Sequence, residues 1–232
     1  MPAIDVRLLG ALELRRNGRV VPLPRSRKTR ALLAYLAATG RPHSRAHLCA
    51  LLWEGPDDPR GALRWSLTKI RPLLDDARTR RLVTDGEDVA IDPSGIDIDL
   101  IRIRGELGAD PSAAATAVLR RCAERFGGEL LEELDLPDCY RYHEWWTAER
   151  ESIRAVRVGV LSTLARRLAA DVDAALLFAR ARLLVDPFSE DAHLGVIELL
   201  GASDRTREAV RTSYRSAGVA FDRVWTAELY AR

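Results

Sequence analysis

From Ile4 to Pro24 the chain reads IDVRLLGALELRRNGRVVPLP, in which apolar and polar positions alternate until Asn17-Gly18, a favoured two-residue hairpin turn. A small antiparallel sheet is expected to open the fold. Beyond it the period lengthens to that of a helix. Ser26 is a candidate N-cap for RKTRALLAYLAATG, which sets Leu32, Leu33 and Leu36 on one face and stops at Gly40. HSRAHLCALLWEG offers Ser44 as a second cap and Leu48, Leu51 and Leu52 as an apolar face, closed by Trp53 and Gly55. PDDPRGALRWSLTKIRPLLDD supplies a third helix, and RLVTDGEDVAID alternates around Asp85-Gly86 as a hairpin. The predicted order is sheet, three helices and a two-stranded wing.

The third helix carries the most informative face. At about 100° per residue, Leu63, Leu67, Ile70 and Leu74 fall within one narrow arc. Opposite them lie Gly61, Trp65 and Thr68, flanked by Arg64 and Lys69, with Arg60 and Arg71 nearer the core boundary. A helix of this kind fits the major groove of B-DNA, where Arg and Lys reach guanine edges and Thr bonds a base or phosphate. The same residues also coat ordinary solvated helices, and an exposed Trp serves protein interfaces as well. The face alone leaves both readings open.

The C-terminal half is a helical scaffold. Residues 140–169 carry Trp146, Ile153, Val156, Val160, Leu164 and Leu168 at mixed three- and four-residue spacing, which predicts one long amphipathic helix. After it come helix pairs: Ala175 and Leu176 recur as Ala209 and Val210, a period of 34 residues, although Pro187 has only Phe221 at the matching place. That period is the tetratricopeptide one.

Composition agrees with a packed fold, since 47% of residues are hydrophobic and 30% charged. No run approaches 18 apolar residues and the start MPAIDVRLLG lacks the pattern of a secretory signal, so the cytoplasm is the expected compartment and no membrane partner is expected. Cys49, Cys122 and Cys139 are widely spaced and contain no CxxC pair, which argues for small buried residues rather than disulfides. The net charge of +2 conceals an asymmetry. Residues 1–81 hold 17 Lys and Arg against 7 Asp and Glu, about +10, and the remainder 19 against 27, about −8. A basic front and an acidic back predict two domains, the first attracted to a polyanion. The acidic scaffold repels phosphates and suits protein contact or dimerisation.

Enzyme chemistry finds little support. His43, His47 and Cys49 lack a fourth nearby metal ligand. Cys139, His143 and Glu144 in DCYRYHEWW sit beside tryptophans that point to packing. PRSRKTR has a Lys-Thr pair without the glycines of a phosphate loop, and neither GxSxG nor HExxH occurs. No catalytic residue, metal or cofactor is expected.

RKTRALLAYLAATGR, HSRAHLCALLW and GALRWSLTKIRPLL resemble the OmpR/PhoB-type winged helix of the antibiotic-regulatory-protein (SARP) family of bacterial transcriptional activators. The resemblance covers about residues 4–92 and rests on the spacing of Leu48, Leu51, Leu52, Trp53, Leu63, Leu67, Ile70 and Arg71. It implies that Pro59–Leu74 is the recognition helix, with Arg60, Arg64, Trp65, Thr68, Lys69 and Arg71 facing DNA. It also implies that the Gly55–Pro59 loop can face RNA polymerase. ERFGGELLEEL through LLVDPFSEDAH is similar to the bacterial transcriptional activator domain that follows the winged helix in that family.

Two departures qualify the likeness. Pro72 inside the third helix should kink or shorten it. The wing tip TDGED is acidic at Asp85, Glu87 and Asp88, so wing contacts would come from Arg78, Arg80 and Arg81 at its base, or be absent. Lys28 and Arg30 are candidate phosphate contacts from the first helix.

The expected fold is mainly α with an α+β N-terminal domain: a winged helix-turn-helix over 1–95, then an all-α, tetratricopeptide-like helical domain over 96–232. The expected function is sequence-specific regulation of transcription, with promoter DNA, RNA polymerase and a second copy of the chain as candidate partners. The alternative is a protein-interaction scaffold with a degenerate winged helix.

Overall fold

The computed structural model describes residues 4–202 apart from 56, 57 and 109. These residues divide into two compact units, 4–106 with 125–153 and 107–124 with 154–202.

In the first unit Asn17 and Gly18 both take positive φ, 51° and 78°, as a type I′ turn requires. That turn joins β2 (Glu13–Arg16) to β3 (Arg19–Val20), and β1 (Ile4–Arg7) pairs antiparallel with β2. Ile4, Val6 and Leu14 face the core, which is what the alternation demanded.

Three helices follow. Ser26 Oγ accepts the Thr29 N–H at the start of α1 (Arg27–Thr39), and Gly40, at φ 61°, donates back to the Leu36 carbonyl at its end. Ser44 Oγ accepts the His47 N–H and opens α2 (Arg45–Leu52). α3 (Pro59–Leu74) starts with Pro59 and is capped by Asp58, whose Oδ1 accepts the Gly61 N–H at 2.7 Å. Leu32, Leu33, Leu36, Leu48, Leu52, Leu63, Ile70 and Leu74 are fully buried between them, each contributing about 2 kcal/mol of hydrophobic transfer. Thr29 and Ser66 share a buried hydroxyl bond of 2.9 Å between α1 and α3.

The wing departs from expectation in two ways. β5 (Leu82–Asp85) and β6 (Asp88–Ile91) are joined by Gly86 and Glu87, one residue later than Asp85-Gly86, because the Asp85↔Asp88 pair closes the ladder. A third strand, β4 (His43–Ser44), pairs with β6, so the wing sheet has the order β4-β6-β5. Directly after the wing, β7 (Ile96–Ile98) lies parallel to β1 and completes the sheet β3-β2-β1-β7. Asp99, buried at the start of α4 (Asp99–Leu107), accepts the Leu8, Leu9 and Leu100 N–H groups. Burial pushes its carboxyl up, against the pull of those bonds.

Pro72 does not shorten α3, which continues to Leu74. The carbonyls of its last turn are satisfied from outside: Arg16 Nη2 donates to those of Pro72, Leu73 and Asp75 at 3.3, 2.9 and 3.0 Å.

Residues 125–153 belong to this first unit. Their loop binds the β1–β2 connection through Gly10 N to Glu129 O, Leu131 N to Leu8 O and Glu132 N to Gly10 O. The long helix predicted over 140–169 is α6 (Tyr140–Arg167), preceded by α5 (Thr116–Arg125). Its N-terminal half belongs to the first unit and its residues from Arg154 onward to the second.

In the second unit α7 (Val172–Val185) and α8 (Glu190–Ala202) form a helix pair around Leu176, Ala179, Val196, Ile197 and Leu200. Arg154 fastens its turn, donating to the Val185 carbonyl and the Asp186 carboxylate. α7 and α8 stand where the first pair of the expected 34-residue period falls. The recurrence at Ala209, Val210 and Phe221 lies outside the described residues.

Candidate nucleic-acid interface

The Leu63/Leu67/Ile70/Leu74 stripe is buried, so the opposite face of α3 is turned out of the core. Trp65 is 52% exposed and is not packed into its own unit's core. Lys69 Nζ lies 5.4 Å from its ring centroid, a cation–π contact one helical turn away. Thr68 is exposed and its hydroxyl donates to the Arg64 carbonyl at 3.0 Å, a local bond that water or a ligand acceptor can replace.

The arginines of this helix differ in how free they are. Arg64 sits 3.8 Å from Asp58 and Arg60 3.7 Å from Glu87, both pairs more than 60% exposed and worth little in water. Arg71 is held more tightly. Its Nη1 donates to Asp75 Oδ2 at 3.1 Å and to the Leu82 carbonyl at 3.3 Å, where α3 meets the first wing strand.

Between α3 and the wing lies an open groove of about 450 Å³, lined by Thr68, Arg71, Pro72, Asp75, Asp76, Arg80 and Thr84. Two hydroxyls and two guanidiniums face it beside two carboxylates. Asp76 is held well below the usual carboxylate range, at about 2. The Arg78 N–H contributes most, then the Arg81 guanidinium and the Thr79 N–H. At neutral pH it is therefore anionic, and the groove is of mixed charge rather than purely basic.

Arg81 is a correction to the expected wing contacts. It is only 5% exposed, and its guanidinium donates to the Leu74 carbonyl at 2.9 Å, the Ser94 carbonyl at 3.1 Å and Asp76 Oδ2 at 3.0 Å. A side chain that satisfies the buried Leu74 carbonyl cannot also reach a phosphate without leaving it unpaired. Arg80, one residue earlier, is exposed and lines the groove. Arg78 is exposed as well, whereas the wing tip residues Asp85, Glu87 and Asp88 present carboxylates to solvent.

On α1, Lys28 is half-buried. Arg30 is half-buried too, and its Nε is enclosed without a hydrogen-bond partner. It lines a different cavity, about 400 Å³, shared with Ala11, Leu12, Arg27, Glu132, Glu133 and Leu134. The structure thus gathers Thr68, Arg71 and Arg80 in one groove with Arg60, Arg64, Trp65 and Lys69 on the same helix, and places Arg30 elsewhere. Asp75, Arg16 and Thr84 had escaped the sequence reading. Only Asp75 left a signal there, as the acidic i+4 neighbour of Arg71.

His43 and His47 stack at 5.4 Å and bond the Thr39 and Tyr35 hydroxyls, while Cys139 Sγ donates to the Leu52 carbonyl and His143 Nδ1 meets Asp135. All three cysteines are buried. Among the described residues no group of three or more His, Cys, Asp or Glu is arranged to hold a metal ion, and no helix is long and apolar enough to cross a membrane.

No family model matches the chain, and no curated protein matches it. Among solved structures, Mycobacterium tuberculosis EmbR in complex with a low-affinity phosphopeptide aligns over 92% of this chain with a TM-score of 0.68 and 25% identity. This chain spans 59% of that one. The likeness supports a SARP-like fold, a winged helix followed by a helical domain.

Proposed function

We propose that the protein is a SARP-type transcriptional regulator that binds double-stranded promoter DNA through α3 and acts as an activator by contacting RNA polymerase. DNA binding is assigned to residues 1–95 and the activator domain to 96–232, a helical-repeat module for protein contact or dimerisation. The cytoplasm is the compartment this role requires. One observation carries the reading: Arg64, Trp65, Thr68 and Lys69 are exposed on the face of α3 opposite a buried leucine stripe. Such a face has the donors and the aromatic surface that a major groove accepts. The EmbR-like fold and the basic N-terminal third agree with it. The polymerase contact is assigned to the Gly55–Pro59 loop, of which residues 56 and 57 lie outside the described residues.

The acidic wing tip favours a second reading, a protein-interaction scaffold whose winged helix docks a basic partner instead of DNA. Selection of duplexes from a random-sequence library by the full chain, followed by titration of the enriched and a scrambled duplex across a salt series, separates the two. The DNA reading predicts a preference for the enriched duplex and an affinity that falls steeply with salt. Equal, weak binding to both duplexes would leave the scaffold.

A further inference from the structure

We propose that Asp75 is a positioning residue of the DNA interface, which locks the end of α3 to the wing and fixes the Arg71 guanidinium at the mouth of the groove. The inference rests on the reading of α3 as a recognition helix. Five hydrogen bonds converge on this one residue. Its Oδ1 accepts the N–H groups of Arg81 and Leu82 at 2.8 and 2.9 Å, its Oδ2 accepts Arg71 Nη1 at 3.1 Å, its own N–H donates to the Arg71 carbonyl at 2.8 Å, and its carbonyl accepts from Arg16 at 3.0 Å.

The two carboxylate oxygens have separate tasks. Oδ1 serves only backbone, and sets where β5 leaves the helix end. Oδ2 serves only Arg71, whose Nη1 also reaches the Leu82 carbonyl. A guanidinium has five donor hydrogens, and these contacts use those on Nη1 alone. The Asp75 side chain is 13% exposed and that of Arg71 38%, so the acid is sheltered while the base keeps an open side. A planar cation held at one end loses less freedom when it meets a second anion, which is how a fixed donor discriminates among acceptor positions. Thr68, Arg80 and Thr84 line the same groove and define the space a phosphate or base edge would enter.

Asp75→Asn divides the two tasks. The amide oxygen can still accept the Arg81 and Leu82 N–H groups, but an NH₂ facing Arg71 opposes donor to donor and releases it. The full-length variant should lose about 5- to 20-fold in its preference for the library-enriched duplex over the scrambled one. Affinity for the scrambled duplex should hold or rise, since one carboxylate has left the groove. Its melting temperature should stay within a few degrees of wild type. Arg71→Ala should show the same loss of preference, and the double variant no further loss, because the two side chains act as one unit. Asp85→Asn, a charge-matched change at the exposed wing tip, should leave the preference unchanged.

Three results overturn the proposal. One is an Asp75→Asn protein indistinguishable from Asp85→Asn on both duplexes. Another is a parallel fall in both affinities together with melting temperature, which would mark Asp75 as a fold residue only. The third is additive loss in the double variant. Failure of the underlying DNA reading shows separately, as wild-type protein that prefers neither duplex, and the proposal falls with it.

Discussion

Arg80 and Arg81 are adjacent in the chain, identical in chemistry and equally basic on paper, yet one is exposed at the α3–wing groove and the other is 5% exposed beneath it. The contrast extends to the regions around them. The outer face of α3 offers donors and an indole to solvent, while the wing has a buried polar base and an acidic tip. At the base of the wing Arg81 holds structure, and the face of the helix is open to a partner. Position in a winged-helix fold therefore does not assign a role; the partners a side chain already has do.

Stability should divide the same way. Arg81→Ala strands the buried Leu74 carbonyl and should cost about 2–3 kcal/mol of unfolding free energy, while Arg80→Ala should stay within about 0.5 kcal/mol. Urea denaturation of both proteins checks this, and equal costs would erase the contrast.

The wing sheet also carries a pH dependence. His43 on β4 is 5% exposed. Burial above all, then Arg41 and His47, lowers its pKa from 6.5 to about 4. Because the folded value lies below the unfolded one, its contribution is complete above about pH 6.5 and is lost as pH falls toward 4, when the unfolded chain takes up the proton first. The loss should be about 2–3 kcal/mol. His43→Asn should flatten the stability–pH curve across that window by close to one proton, and an unchanged slope would contradict the assignment.

On the binding side the effects are smaller. Thr68→Ala or Arg64→Ala should alter discrimination between duplexes by about 1–3 kcal/mol, if either meets a base edge, whereas Lys28→Ala should weaken enriched and scrambled duplexes alike. Titrating the three variants on both duplexes tests the division. Uniform losses everywhere would remove the distinction between reading and gripping.

Local chemistry explains what the sequence disclosed. Ser26, Ser44 and Gly40 cap where their side chains or backbone freedom require, and the α3 stripe followed from a 3.6-residue period. What stayed hidden depends on distant partners. β4 is two residues long and exists only because β6 lies beside it, and β7 finds β1 more than ninety residues away. Arg16 reaches the end of α3 across 56 to 59 positions and takes up carbonyls that the helix end leaves open. Among the expected contact residues, exposure on one helix was readable for Trp65 and Thr68. The burial of Arg81 was not, since nothing local distinguishes it from Arg80.

The most direct test of the account is Trp65→Ala in the full-length protein, followed by melting and by titration of the library-enriched duplex. An indole 52% exposed on the face of α3 should be dispensable for the fold, so stability should change by less than about 1 kcal/mol while affinity for the duplex falls clearly. A loss of about 3–5 kcal/mol, the cost of truncating a buried tryptophan, would contradict the orientation of α3, and unchanged stability with unchanged affinity would contradict its assignment to DNA.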